Sequence, residues 1–323
     1  MTVLCAVNTP DAIVIGSDSQ GTITRTYVVL ENLSDYFDRN NGQKLKIGAD
    51  GHPLLNNWSK VVCQSSEVPC KSHTEVDKLF SLDPLKMGVM ICGLSAIGDR
   101  SIKSLIREFK DTAGFNRLCC SDYTLKTTAA ELLSFLGQQY MEIYPYEPHP
   151  ELELMICGYD KNRYTPGVVR IYVHLANITE PDYDFCIFFG GITREIQRLL
   201  FGIDSQNKRR LIERNQQLLE RYHSLLSRQV QKDGSNITLK HPSEFGNELH
   251  LFDGWQLERL QMNCGMYSEH TAVECIEFLI NIMIKTQKFS NQVPSTGGDA
   301  QIAIIRKNSG FRYITPRQWY LVD

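Results

Sequence analysis

No arrangement in the sequence reads as a metal centre, which removes a large class of functions at the outset. The ten cysteines are scattered without a CxxC pair, and the eight histidines show no HxxH or HExxH spacing, the patterns that bring ligands onto one metal ion. Gly190-Gly191 and Gly297-Gly298 lack the GxxxxGK[ST] frame of a phosphate loop, so both read as turns and no cofactor is expected. Long apolar runs are missing too. Phe185 to Phe189 is among the longest, far short of the ~20 residues a bilayer span needs, so no membrane association is expected. The opening residues have neither a positive n-region nor a long apolar h-region, and no targeting peptide is expected. Without secretion, Asn236-Ile237-Thr238 carries no meaning as a glycosylation acceptor, and the thiols are expected to be reduced in a cytoplasm. Charge of one sign is also lacking. The formal charge is -3, which gives no electrostatic footprint for nucleic acid.

What is present is a chain of 323 residues, enough to bury a sizeable core. The opening MTVLCAVNTPDAIVIGSDSQ reads as two short strands, Val3 to Val7 and Ile13 to Ser17, around turn signals at Asn8, Pro10 and Asp11. Residues of about 20–77 have little periodicity and read as an insertion holding one further hairpin. VDKLFSLDPLKMGVMICG then predicts a strand, a turn at Asp83-Pro84 and a strand ending at Cys92-Gly93. SAIGDRSIKSLIREFKD places Ile97, Ile102, Leu105, Ile106 and Phe109 on one helical face, and Thr128 to Ile143 repeats the pattern.

Strands return in LELMICGYD, GVVRIYVHL and DFCIFFGG, followed by a helix from about Thr193 to Phe201. A polar arm of about 203–265 includes a helical stretch, Lys208 to Gln231, striped by Leu211, Leu218, Leu219, Leu225 and Leu226, and a loop from His241 to Gly254. Glu269 to Lys288 predicts another amphipathic helix, and DAQIAIIRK and GFRYIT close the chain as two strands. Helices in pairs between groups of strands imply an α+β fold, two antiparallel sheets face to face with helices on each outer side, rather than a doubly wound parallel sheet. One domain spanning 1–323 is expected, interrupted by the two insertions.

Several strings together resemble the proteasome-type family of N-terminal nucleophile hydrolases, in its β-subunit-like and bacterial branch. Thr2 is followed by a strand, a turn and a strand ending in Gly16-Ser17-Asp18-Ser19, with Asp18 sixteen positions after Thr2, the family's offset. Lys78 stands before an apolar strand, and CGLSA looks like the family's AGxxA turn. LMICGYD, FFGG and STGGDAQIAII also fall where the family has a strand end and two glycine turns. The resemblance covers most of the chain apart from the two insertions, and it implies the four-layer αββα sandwich of that family.

It also implies a chemistry. Release of Met1 leaves Thr2 with a free α-amine of pKa roughly 7.7–8.0, able to take the proton of its own hydroxyl. Lys78 and Asp18 would activate the nucleophile, and Gly93 would offer its N–H to the oxyanion. Thr296 would supply one supporting hydroxyl. By position in their strands Phe80, Met90 and Ile91 would lie near an apolar specificity pocket. Two positions depart from the family. Its supporting Ser falls here on Gly191 or Ile192, and its Asp on Val293, so Ser295, Asp299 or Thr193 are the alternative polar groups.

The implied partners are a peptide or protein substrate, copies of the chain in a ring or similar homo-oligomer, and an ATP-dependent unfoldase. Two other readings stand beside the peptidase: a non-catalytic structural subunit of the same fold, and an amidase or transpeptidase acting on a small substrate.

Overall fold

The computed structural model describes residues 2–28, 37–38, 44–47, 65–73, 76–147, 149–180, 187–234, 237, 239–241, 262–290 and 294–314. Met1, Val293 and most of the expected 241–254 loop lie outside them, as do large parts of the 20–77 insertion. The described chain is α+β, and its sheets are antiparallel. It divides into two compact units, residues 1–193 with 263–323, and residues 194–262.

In the larger unit the strands are β1 (Val3–Asn8), β2 (Ala12–Asp18), β3 (Gly21–Val28), β4 (Phe37–Asp38), β5 (Lys44–Leu45), β6 (Ser65–His73), β7 (Leu79–Ser81) and β8 (Met87–Gly93). After β9 (Ala96–Ile97) and β10 (Arg100–Ser101) come helices α1 (Ile102–Lys110), α2 (Ala113–Cys120) and α3 (Leu125–Ile143). Next are β11 (Leu152–Gly158), β12 (Gly167–Tyr172), β13 (Asn177–Thr179) and β14 (Ile187–Gly191). Helices α4 (Arg194–Phe201) and α5 (Ser205–Lys232) form the described part of the smaller unit. Helix α6 (Glu269–Lys288), β15 (Ala300–Arg306) and β16 (Gly310–Ile314) return to the larger one.

Two five-stranded sheets dominate, in the orders β14-β1-β2-β15-β16 and β13-β12-β11-β8-β7. Strands β3 and β6 pair with each other, as do β4 with β5 and β9 with β10, so the 20–77 region holds two small ribbons among the described residues. The hairpin β1–β2 is closed by Thr9, whose hydroxyl donates to the Ala12 carbonyl at 3.0 Å and accepts from the Ala12 N–H at 3.1 Å. Every residue of β2 is buried. A strand covered on both faces loses the inside–outside alternation, which is why AIVIGSD reads as one apolar run.

One core cluster joins the two large sheets: Leu4, Ala6, Ile13 and Ile15 from the first meet Leu79, Met90, Met155 and Cys157 from the second. A second cluster lies on the other face of the second sheet, where Val89, Ile91, Leu154 and Ile156 meet the buried stripe Ile102, Leu105, Ile106 and Phe109 of α1 and residues of α2 and α3. Helix α6 packs on β1, β2 and β15 through Ala272, Val273, Ile276, Leu279, Ile280 and Met283.

The helix ends carry ordinary local signals. Ser101 caps α1 by accepting from the Ser104 N–H, and Ser268 caps α6 by accepting from Thr271 N–H. Thr124 and Thr127 form a reciprocal capping box at α3. Ile97, expected on the first helical face, belongs to β9 instead, and the short helix α2 had no counterpart in the sequence-based expectation. In the smaller unit Asp204 caps α5 through Asn207 N–H and receives the Arg198 guanidinium of α4 at 2.7 Å. No helix among the described residues is long and apolar enough to cross a membrane.

Candidate active site

Thr2 directly precedes β1, and Asp18 is the last residue of β2. The antiparallel register pairs Leu4 with Ser17, so a two-strand hairpin of this length sets Asp18 across from Val3. The Val3 N–H donates to Asp18 Oδ1 at 3.1 Å. The sixteen-residue offset seen in the sequence is thus the arithmetic of one tight hairpin.

Lys78 reaches the same carboxylate from the other sheet. It precedes β7, whose Leu79 pairs with Met90, and its Nζ donates to Asp18 Oδ1 at 2.9 Å and to the Gln20 carbonyl at 2.7 Å. Both side chains are almost wholly buried, 5% and 0% exposed, so this is a desolvated ion pair, with further hydrogen bonds on both partners. Asp18 Oδ2 accepts from the backbone N–H of Gln20 at 3.3 Å and of Gly297 at 3.1 Å. Burial pushes the Lys78 pKa below its ordinary value, against the opposing pull of the Asp18 charge and hydrogen bond. A depressed lysine exchanges protons more readily near neutral pH than a solvated one.

Three glutamines that the sequence reading passed over hold this pair in place. Gln301 on β15 accepts from Lys78 N–H at 3.0 Å and donates to the Val76 carbonyl at 3.0 Å, tying the segment before β7 to the first sheet. Gln20 donates from its side chain to the Pro294 carbonyl at 2.9 Å. Gln287 of α6 accepts from Ser295 N–H, Ser295 hydroxyl and Thr296 N–H at 2.7, 2.9 and 2.9 Å, so it shapes the loop whose Gly297 touches Asp18. Side-chain amides bridging distant backbone groups have no spacing signature. Only the pattern STGGDAQ near the end of the chain marked the neighbourhood.

Gly93 ends β8 at a φ of +94°, and a Cβ there would collide with the Glu151 carbonyl, so only glycine fits. Ile91 donates its N–H to the Lys78 carbonyl at 3.1 Å, on one edge of β8, whereas Leu94 donates to the Glu151 carbonyl at 3.0 Å, on the other. By the alternation of a strand, the Gly93 N–H belongs to the Lys78 edge, beyond the first residue of β7. A cleft of about 40 Å³ opens there, lined by Thr2, Gln20, Gly21, Val76, Lys78, Ile91, Cys92, Gly93, Leu94 and Ser95. That volume accommodates a few waters or a small polar group.

The Thr2 carbonyl accepts from Ile192 N–H at 2.9 Å and from Cys92 Sγ at 3.7 Å. Gly191, at a φ of +69°, packs so closely on that carbonyl that any side chain would collide with it. Of the two positions on which the family's supporting serine falls, Gly191 is therefore closed to every residue but glycine, and Ile192 holds the Thr2 carbonyl through its backbone N–H.

The remaining expected residues divide. Ile91 lines the cleft, but Met90 and Phe80 do not. Met90 lies in the cluster between the two sheets at 0% exposure, and Phe80 lies in the cluster beneath the helices. Adjacent residues of a strand point to opposite faces, so Met90 and Ile91 cannot share one wall, and Val76, Leu94 and Ile91 supply the apolar lining instead. Thr296 is 1% exposed, with its hydroxyl unpartnered among the described residues, in the loop behind Asp18 rather than on the cleft wall. Of the alternative polar groups, Ser295 is engaged by Gln287, and neither Asp299 nor Thr193 lines the cleft. The hydroxyl-bearing residue that does line it, besides Thr2, is Ser95. Among the described residues no group of three or more His, Cys, Asp or Glu could hold a metal ion.

No protein-family model and no curated protein matches this chain.

Proposed function

We propose that the protein is a threonine-type amide or peptide hydrolase with the αββα layering of the N-terminal nucleophile hydrolases, its nucleophile Thr2 unmasked by loss of Met1. One observation carries the reading: Thr2, Lys78 and Gly93, from three separate segments, line one small cleft, with buried Asp18 bridging the Lys78 ammonium and the backbone next to Thr2.

In this reading the Thr2 hydroxyl attacks the substrate carbonyl while its proton passes to the Thr2 α-amine. The Lys78 ammonium, fixed by Asp18 and the Gln20 carbonyl, lowers the cost of the developing alkoxide. The Gly93 N–H faces the oxyanion. Collapse of the tetrahedral intermediate returns the proton to the leaving amine and leaves an ester on Thr2. Water, activated by the same α-amine, then hydrolyses that ester and regenerates the hydroxyl. Val76, Ile91 and Leu94 would contact the substrate side chain. A peptide or protein substrate, assembly of copies and an unfoldase partner follow from the resemblance alone.

The test is the intact mass of the purified protein before and after treatment with a threonine-reactive epoxyketone. The expected result is a chain lacking Met1 that gains one adduct, with no gain in Thr2→Ala. A chain that retains Met1 and takes no label, when expressed with an active methionine aminopeptidase, sinks the hydrolase reading and leaves a scaffold of the same fold. That scaffold reading draws its support from Gly191, where no hydroxyl can stand beside Thr2.

A further inference from the structure

Helix α5 is the part of the molecule that the cleft does not explain. None of its residues is buried, although it runs for 28 residues. The chain carries a formal charge of -3, yet α5 alone holds seven lysines and arginines against two glutamates. The placement of these charges is ordered. Leu211, Leu218 and Leu225 recur every seven residues, and Arg214, Arg221 and Arg228 follow each leucine by three.

On a helix a seven-residue repeat returns to nearly the same face, so these are two adjacent rows, leucines beside arginines. Ile212, Leu219 and Leu226 form the row on the leucines' other flank. Leu218, Leu225 and Tyr222 are 52%, 54% and 68% exposed, and Arg214, Arg221 and Arg228 are all exposed. None of these arginines has an ion-pair partner among the described residues. The cation of α5 that does is Arg209, which meets Glu213 on the opposite side of the helix.

We propose that this face of α5 docks a helix of another protein whose apolar stripe is flanked by carboxylates at heptad spacing. A narrow leucine seam repeating every seven residues matches a second helix, which has the same period; a lipid surface or a nucleic-acid backbone does not impose that repeat. A second copy of α5 does not fit. Paired in parallel, each arginine row would lie against the Ile212–Leu219–Leu226 row and lose its solvation in apolar surroundings. Paired antiparallel, arginine row would face arginine row. An acidic helix satisfies both the leucines and the cations. The proposal stands independently of the hydrolase reading.

The experiment titrates the full-length protein against two fluorescent four-heptad peptides with leucine at the core positions and either glutamate or lysine at the flanking ones. The acidic peptide should bind, more weakly as salt rises, and the basic one should not. R214E/R221E/R228E should weaken acidic-peptide binding about tenfold and admit the basic peptide, while L218S/L225S should bind neither. Circular dichroism of each variant checks that the helix persists. Failure of the acidic peptide to bind, or equal binding by the charge-reversed variant, overturns the proposal. So does tighter binding to phosphatidylserine-containing vesicles than to the peptide, which assigns the face to lipid. Self-association abolished by L218S/L225S overturns it in favour of a second copy.

Discussion

Replacing Asp18 by asparagine probes the centre of the site most directly. The carboxylate accepts four hydrogen bonds, from Val3 N–H, Gln20 N–H, Gly297 N–H and Lys78 Nζ. Asparagine keeps one acceptor oxygen but turns an NH2 group toward one pair of donors and removes the charge that compensates Lys78. Lys78 is 5% exposed and, whichever way the amide turns, would lose its counter-charge and keep only neutral acceptors such as the Gln20 carbonyl. Stranding one member of a buried pair costs about 3–5 kcal/mol, and that is the expected loss in urea unfolding at neutral pH. Asp18→Asn combined with Lys78→Met removes the stranded charge and should recover most of it, a strongly non-additive cycle.

The pH dependence has a definite sign. The folded-state pKa of Lys78 is already lowered by burial, and losing Asp18 removes the influences that raise it, so it falls further. Between the folded and unfolded pKa values the unfolded state binds more protons, and stability rises with pH. The deficit of Asp18→Asn relative to the parent should therefore be greatest below the variant's lowered Lys78 pKa and shrink as pH rises from there through the parent's own folded pKa, which lies below the ordinary lysine value. A loss under ~1 kcal/mol, a deficit constant with pH, or additive single and double variants would refute the buried-pair argument.

Three further outcomes follow from the same geometry. Gly93→Ala forces a side chain into a left-handed backbone position against the Glu151 carbonyl; it should cost about 1–3 kcal/mol and abolish epoxyketone labelling, both measurable on one preparation. Gln287→Ala leaves the two N–H groups and the hydroxyl of the 295–296 loop without their acceptor. It should lower stability by about 1–3 kcal/mol and slow labelling at Thr2, although it does not line the cleft; unchanged labelling would separate that loop from the site. Cys92 lines the cleft, but burial pushes its thiol up to about 11. Iodoacetamide at pH near 8 should alkylate exposed Cys120 well before Cys92, as peptide mapping would read directly, and early modification of Cys92 would contradict its burial.

Much of the secondary structure was legible because local periodicity and caps determine it. The stripe Ile102, Leu105, Ile106 and Phe109 predicted α1, Glu269 to Lys288 predicted α6 to the residue, and the closing strands appeared where DAQIAIIRK and GFRYIT placed them. Helix α2 escaped notice because only Phe115 and Leu118 form its buried face, too few to show a period.

The sequence by itself also determined one piece of the candidate site. A short hairpin forces the residue at the end of β2 to lie across from the start of β1, so the adjacency of Asp18 and Thr2 needs no long-range information. Tertiary structure alone decided the rest. Lys78 is sixty positions from Asp18, and only the packing of one sheet on the other brings them together. The same packing sends Met90 into the core and Ile91 to the cleft, closes position 191 to all but glycine, and brings in Gln20, Gln287 and Gln301 as clamps. These contacts join groups distant in the chain through backbone carbonyls and amides, which every residue type carries, so no composition or spacing can announce them.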